Sequence, residues 1–112
     1  MKDIRRTFLR YSDITFWAEK HAINNDCKVS IRLVDHKQHK EITINDVNRM
    51  LYNVGLPSYR NAYLLRIYNK EKAVFFLAVK GFSVALICDF IYKPNIINGL
   101  KEELNGQLSF DI

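Results

Sequence analysis

The stretch from Ala62 to Lys93, AYLLRIYNKEKAVFFLAVKGFSVALICDFIYK, constrains the fold most, because it holds most of the chain's apolar mass. Tyr63, Leu65 and Ile67 alternate with Leu64, Arg66 and Tyr68, which predicts a strand. Asn69 to Lys72 reads as a polar turn, and Ala73 to Val79 as a continuous apolar strand rich in Val and Phe. Lys80-Gly81 fits a two-residue hairpin turn, and Phe82 to Tyr92 a third and longest strand. A helix over Lys70–Lys80 competes with this reading, but β-prone Val74-Phe75-Phe76 leaves it no polar face. In the strand register one face collects Leu64, Phe75, Leu77, Val84, Leu86 and Cys88. The other collects Leu65, Ile67, Val74, Phe76, Ala85 and Ile87. Both faces are apolar, so the sheet calls for cover on two sides, from its own helices or from a second subunit. The same register sets Asp89 across from Lys72 as a cross-strand ion pair.

The flanking segments are candidates for that cover. Ile4, Phe8, Tyr11, Thr15, Ala18 and Ala22 step by four and three, which predicts an amphipathic helix over residues 4–23. If continuous, it places Arg6, Arg10, Asp13, Trp17 and Lys20 together on the opposite face; a shorter helix capped by Ser12 or Asp13 turns Trp17 inward. Asn24-Asn25-Asp26 is a turn. Lys28 to Val34 alternates, with Val29, Ile31 and Leu33 on one side and Lys28, Ser30 and Arg32 on the other. After the polar loop Asp35–Lys40, Glu41-Ile42 completes a short hairpin partner. Thr43 and Asp46 form a capping box ahead of Val47, Met50, Leu51 and Val54, and Gly55, Leu56 and Pro57 stop that helix. Pro94-Asn95 opens a last helix with Ile96, Ile97, Leu100 and Leu104 apolar, ended by Gly106 and followed by an apolar tail, residues 107–112. The expected architecture is α+β: one domain over residues 1–112, an antiparallel sheet of three to five strands, roughly α-β-(β)-α-β-β-β-α.

Charge points to the class of partner. Of a net +5, the first forty residues carry nine Lys/Arg against five Asp/Glu, and the remainder eight against seven. A localised positive field favours nucleic acid or an acidic surface. The candidate contact residues are Arg5, Arg6, Arg10, Trp17, Lys20, Lys28, Arg32, Lys37 and Lys40. No apolar run is long enough to span a bilayer, since Lys80, Asp89 and Lys93 interrupt the longest. The N-terminal MKDIRRTFLRYSD has no signal-peptide core, and Cys27 and Cys88 lack a CxxC spacing, so a cytoplasmic protein with reduced thiols is expected.

Catalytic signatures are missing: there is no Gly-rich phosphate loop, HExxH, nucleophile elbow or cysteine cluster. His36 and His39 are too few for a metal without a third ligand, so neither metal nor cofactor is expected. Acid–base chemistry would fall to Asp35, His36 or His39 with Arg66, Tyr68, Lys70 and Lys72. The expected function is a non-enzymatic basic protein contacting nucleic acid or a nucleoprotein complex. Its size and Lys/Asn-rich composition suit an inhibitor or accessory protein of a mobile element or phage. A module that dimerises through an uncovered sheet face is a third class.

Three resemblances bear on this. Phe8-Leu9-Arg10, Val29-Ser30-Ile31, the run Asp46–Leu56, Leu65–Glu71 and Gly81-Phe82 resemble one repeat of a LAGLIDADG homing endonuclease over about residues 5–83. That resemblance implies DNA binding and a helix over Lys70–Lys80. Asp13 is the nearest candidate for the family's metal-binding acid, and the glycines that pack its paired helices are missing. Residues 64–93 resemble the sheet of RelE/HigB-type toxins, which implies consecutive strands and a ribonuclease cutting ribosome-bound mRNA. Ala73 stands where that family usually carries an arginine. The tail GQLSFDI resembles the short Gln-Leu peptides that dock on the bacterial sliding clamp, although Ser109 separates Leu108 from Phe110.

Overall fold

The structure, a computed structural model, describes residues 8–93. In chain order these form β1 (Phe8–Arg10), α1 (Tyr11–Asn24), β2 (Cys27–Asp35), β3 (Lys40–Ile42), α2 (Ile44–Asn53), a 3-10 turn (Ser58–Arg60), β4 (Ala62–Tyr68), β5 (Lys72–Leu77) and β6 (Val84–Tyr92). The strands make one sheet in the order β1-β4-β5-β6-β2-β3, and every neighbouring pair is antiparallel. The α+β expectation holds, with six strands where the sequence predicts three to five. The expected helix after Pro94, the tail, Arg5 and Arg6 lie outside the described residues.

The sixth strand corrects the helix expected over residues 4–23. Phe8, Leu9 and Arg10 pair with Leu64, Tyr63 and Ala62, so their backbone groups extend the sheet and the helix starts only at Tyr11. Arg10 N–H donates to Asp13 Oδ2 at 3.3 Å. A guanidinium has no acceptor with which to return the bond, so only this arm of a capping box forms. The shorter helix buries Ile14, Ala18 and Ala22. Trp17 turns inward, edge-on to Phe75 at 5.9 Å and to Phe90 at 6.0 Å.

The second helix follows its local signals closely. Thr43 Oγ1 accepts from Asp46 N–H at 3.1 Å, and Asp46 Oδ2 accepts from Thr43 N–H at 2.8 Å. The Thr43 backbone bond, with Arg49 beside it, holds the Asp46 carboxyl below its ordinary range. At the other end Leu56 N–H reaches Leu51 O at 2.8 Å and Gly55 N–H reaches Tyr52 O at 2.9 Å, closing a Schellman motif. Gly55 supplies the positive φ of 78° that this ending requires. Val47 and Leu51 are buried, whereas Val54, placed on the apolar stripe by sequence, is the exposed C-cap.

The β4–β5–β6 meander confirms strand over helix at Lys70–Lys80, with two corrections. A β-bulge between Leu65 and Ile67 breaks the alternation, so Leu65, not Leu64, joins Phe75, and Leu64 faces Phe76. The β5–β6 connection is also wider than a two-residue turn. Ala78 N–H still bonds across to Ala62 O at 2.8 Å, one step past the last paired residue of β5, Leu77, and β6 begins only at Val84. The β4–β5 turn is tight, with Asn69 Oδ1 accepting from Glu71 N–H at 2.8 Å and Lys72 N–H at 2.9 Å.

Both helices cover the same face of the sheet. Ile14, Ala18, Val47 and Leu51 share one core with Leu33, Leu65, Phe75, Leu86 and Cys88. Phe75 is fully buried at the centre. Phe75→Ala is expected to cost about 3–5 kcal/mol in urea unfolding, against about 5–15 kcal/mol of total stability in a typical domain. Phe16→Ala, at an exposed position on α1, is expected to stay within about 0.5 kcal/mol.

Candidate nucleic-acid interface

The strand register assembles a second face, helix-free among the described residues. Lys28, Ser30, Arg32 and Val34 of β2 lie opposite Ile91, Asp89, Ile87 and Ala85 of β6. Lys72, Val74 and Phe76 of β5 continue these rows, and Leu64 and Ile67 of β4 follow. Val74, Ala85, Ile87 and Val34 form a small apolar cluster that includes no helical residue. Phe76, Ile67 and Ile91 stand exposed around it, and the His36 ring stacks on Phe76 at 6.4 Å and 22°. The His36 backbone is anchored by its main-chain N–H, which donates to Ser83 O at 2.8 Å.

Asp89 organises the charged end of this face. Its Oδ1 lies 3.6 Å from Lys72 Nζ, the pair expected from sequence, and its Oδ2 lies 3.4 Å from Arg32 Nη2. The second partner is missed by sequence reasoning, because it depends on β6 pairing with β2 rather than on any local pattern. The groups are partly solvated, so each bond is worth at most about 1 kcal/mol. Its larger effect is to fix where two cations stand.

The predicted contact residues do not converge on one surface. Lys28 and Arg32 share the helix-free face, and Lys72, absent from that set, joins them. Arg10 and Lys40 sit on opposite edge strands, β1 and β3. Lys20 is on exposed α1 with its Nζ 5.6 Å from the Phe16 ring, and Lys37 Nζ contacts Gly81 O at 3.4 Å. Trp17, placed among arginines by the long-helix reading, is packed between α1 and the sheet beside His21, Tyr68, Phe75 and Phe90. Arg6 lies outside the described residues.

Residues considered for catalysis are similarly dispersed. Tyr68 packs against Trp17 on the helix-bearing side, Lys72 is paired on the other face, and Lys70 Nζ rests 5.3 Å from the Tyr92 ring. No group of three metal-ligating side chains occurs among the described residues. Cys27 pairs with Tyr92 and Cys88 with Ile31, so four ladder steps, roughly 13 Å, separate the thiols and rule out a disulfide without rearrangement. The LAGLIDADG resemblance is overturned in its structural part: Phe8–Arg10 is a strand, Asp13 opens rather than ends a helix, and Lys72–Leu77 is β5. The three consecutive antiparallel strands implied by the toxin resemblance are present. Compared with known protein families, curated proteins and solved structures, the chain matches none.

Burial, with a smaller contribution from neighbouring Asp89, pushes the Cys88 thiol up to about 12, so it stays protonated well above neutrality. Iodoacetamide at mildly alkaline pH is expected to label half-buried Cys27 and spare Cys88 until the protein unfolds, as read by intact mass. The raised folded-state value also sets a sign. Stability is intact below the unfolded thiol's value near about 8.5 and falls as pH rises from there toward about 12. Cys88→Ala should flatten that alkaline loss in a pH series of denaturation midpoints.

Proposed function

We propose that this chain is a non-enzymatic binding protein that contacts nucleic acid or a nucleoprotein complex through the helix-free face of its sheet. The supporting observation is the juxtaposition of Lys28, Arg32 and Lys72 with exposed Phe76, its stacked His36, and Ile67. Cations at the border would meet phosphates, and an aromatic and apolar centre would meet unstacked bases. A flat sheet does not enter a duplex groove, which favours single-stranded segments. The size, the Lys/Asn-rich composition and two free thiols agree with a cytoplasmic accessory or inhibitor protein of a mobile element or phage.

A labelled single-stranded oligonucleotide titrated by fluorescence anisotropy tests this reading. Affinity should fall steeply with salt, and each lost phosphate contact should lower the log–log slope by about one. Lys28→Ala and Arg32→Ala should each weaken binding. Asp89→Asn should strengthen it, by releasing Arg32 and Lys72 from their shared carboxylate. No binding at low salt, or binding indifferent to all three changes, would sink the proposal.

A second reading has one specific observation behind it. Val74, Ala85 and Ile87 make an apolar centre on the same face, and the Arg32–Asp89–Lys72 group is self-complementary, so a second copy would fit there. A concentration-dependent dimer in light scattering that Phe76→Asp abolishes, with no nucleic-acid binding, would favour it.

A further inference from the structure

An apolar cleft of about 410 Å3 opens at the end of the sheet, where α1 finishes, β2 begins and β6 runs out. α1 contributes Ala22 and Ile23 to its lining, β2 Cys27 and Lys28, and β6 Ile91 and Tyr92. Cys27 and Tyr92 pack against the helix-bearing core, whereas Lys28 and Ile91 lie opposite each other on the helix-free face. The cleft therefore sits where the two sides of the sheet meet. Ile23 is 76% exposed and Ile91 55%. A single exposed isoleucine is ordinary, but two converging on one cleft beside a half-buried thiol make a continuous apolar surface.

The chain itself supplies an occupant. Lys93 lines the same cleft, and residues 94–112 follow it covalently. The ladder stops at this point: Cys27, opposite Tyr92, is the first residue of β2, and Pro94 brings no N–H to any further pairing. At no more than about 3.6 Å per residue, Ile96 and Ile97 stand within roughly 14 Å of Lys93. Residues 94–100, PNIINGL, carry no charge, and their bulkiest side chains, Ile96, Ile97 and Leu100, are apolar. A short tether holds such side chains at an effective concentration of about millimolar, so a free apolar ligand would compete at a disadvantage.

We infer that Ile96 and Ile97 dock in this cleft, against Ile23 and Ile91, and shield the Cys27 thiol. Docking removes apolar surface from water on both partners and closes only a short loop next to a fixed point. It concerns the end of the sheet and stands whether or not the helix-free face binds nucleic acid.

Cys27 serves as the reporter. In the full chain its alkylation by iodoacetamide, followed by intact mass against time, is slowed but not stopped, because the docked segment opens reversibly. Ile96→Ser with Ile97→Ser adds no charge that would alter the thiol. This double variant should speed Cys27 labelling by roughly fivefold or more, a ratio set by how far the docked form outweighs the open one. Ile23→Ser should also speed it, and combining all three changes should go no further than the double variant, because they remove one shared contact. Cys88 should stay unlabelled throughout, which shows that the core is intact. In amide-resolved NMR the double variant should move the Ile23, Cys27 and Ile91 signals and leave Thr43 and Asp46 of α2 in place. Equal Cys27 rates in the parent and the double variant would overturn the inference, and so would a threefold combination that is fully additive. A parent rate that rises on dilution would overturn it too, by placing the segment of a second copy in the cleft.

Discussion

The register of β5 between β4 and β6 is the constraint on which the rest of the molecule depends. Leu65, Phe75, Leu86 and Leu33 form one row across four strands, and that row is the floor on which both helices rest. Side chains alternate along a strand, so a slip of one residue would send the row to the other face and bring up Val74, Phe76 and Ala85 instead. Because both faces are apolar, hydrophobicity alone discriminates weakly between the two arrangements. Local devices decide it: the Asn69 turn at one end of the hairpin, the bulge at Arg66, and the Lys72–Asp89 pair across β5 and β6.

This explains which parts of the fold were legible in the sequence. α2 was, because Thr43, Asp46 and Gly55 act within a few residues of the groups they satisfy. The alternation of β2 was too, and with it the common face of Lys28 and Arg32. The start of α1 was not. Ile4 and Phe8 extend a plausible helical period, and only the distant edge of β4 converts Phe8–Arg10 into a strand. Trp17 follows the shorter-helix alternative that the sequence also allows, since a helix begun at Tyr11 directs it onto Phe75 and Phe90. The swap of Leu64 and Leu65 was hidden for a similar reason: nothing within β4 announces a bulge that its pairing with β5 imposes.

The candidate sites divide along the same line. Arg32 could be placed on the exposed side of β2, but not beside Asp89, because the pair spans 57 positions of sequence. The cleft at the end of β6 was wholly out of reach of sequence reasoning, since Ile23, Cys27 and Ile91 come from separate elements and none belongs to a recognisable motif. The basic count of the first forty residues was a correct observation with a misleading geometry. Arg10 and Lys40 end on opposite sheet edges, so composition supplies the sign of the field without its location.

The two helix starts show two ways in which stability is secured in this fold. α2 closes its own N-terminus with a reciprocal capping box, Thr43 accepting from Asp46 N–H and Asp46 from Thr43 N–H. α1 begins with an arginine at the end of a strand, where serine, threonine, asparagine or aspartate would cap better. Trp17, Ile14 and Ala18 hold that helix on the sheet regardless, so the poor cap is tolerated by packing. Internal pairing also governs the opposite face, where Asp89 satisfies Arg32 and Lys72 internally and thereby limits what the sheet can offer a polyanion. Of Lys28, Arg32 and Lys72, Lys28 at the start of β2 is the one exposed without an ion-pair partner among the described residues, so its charge is the least committed of the three.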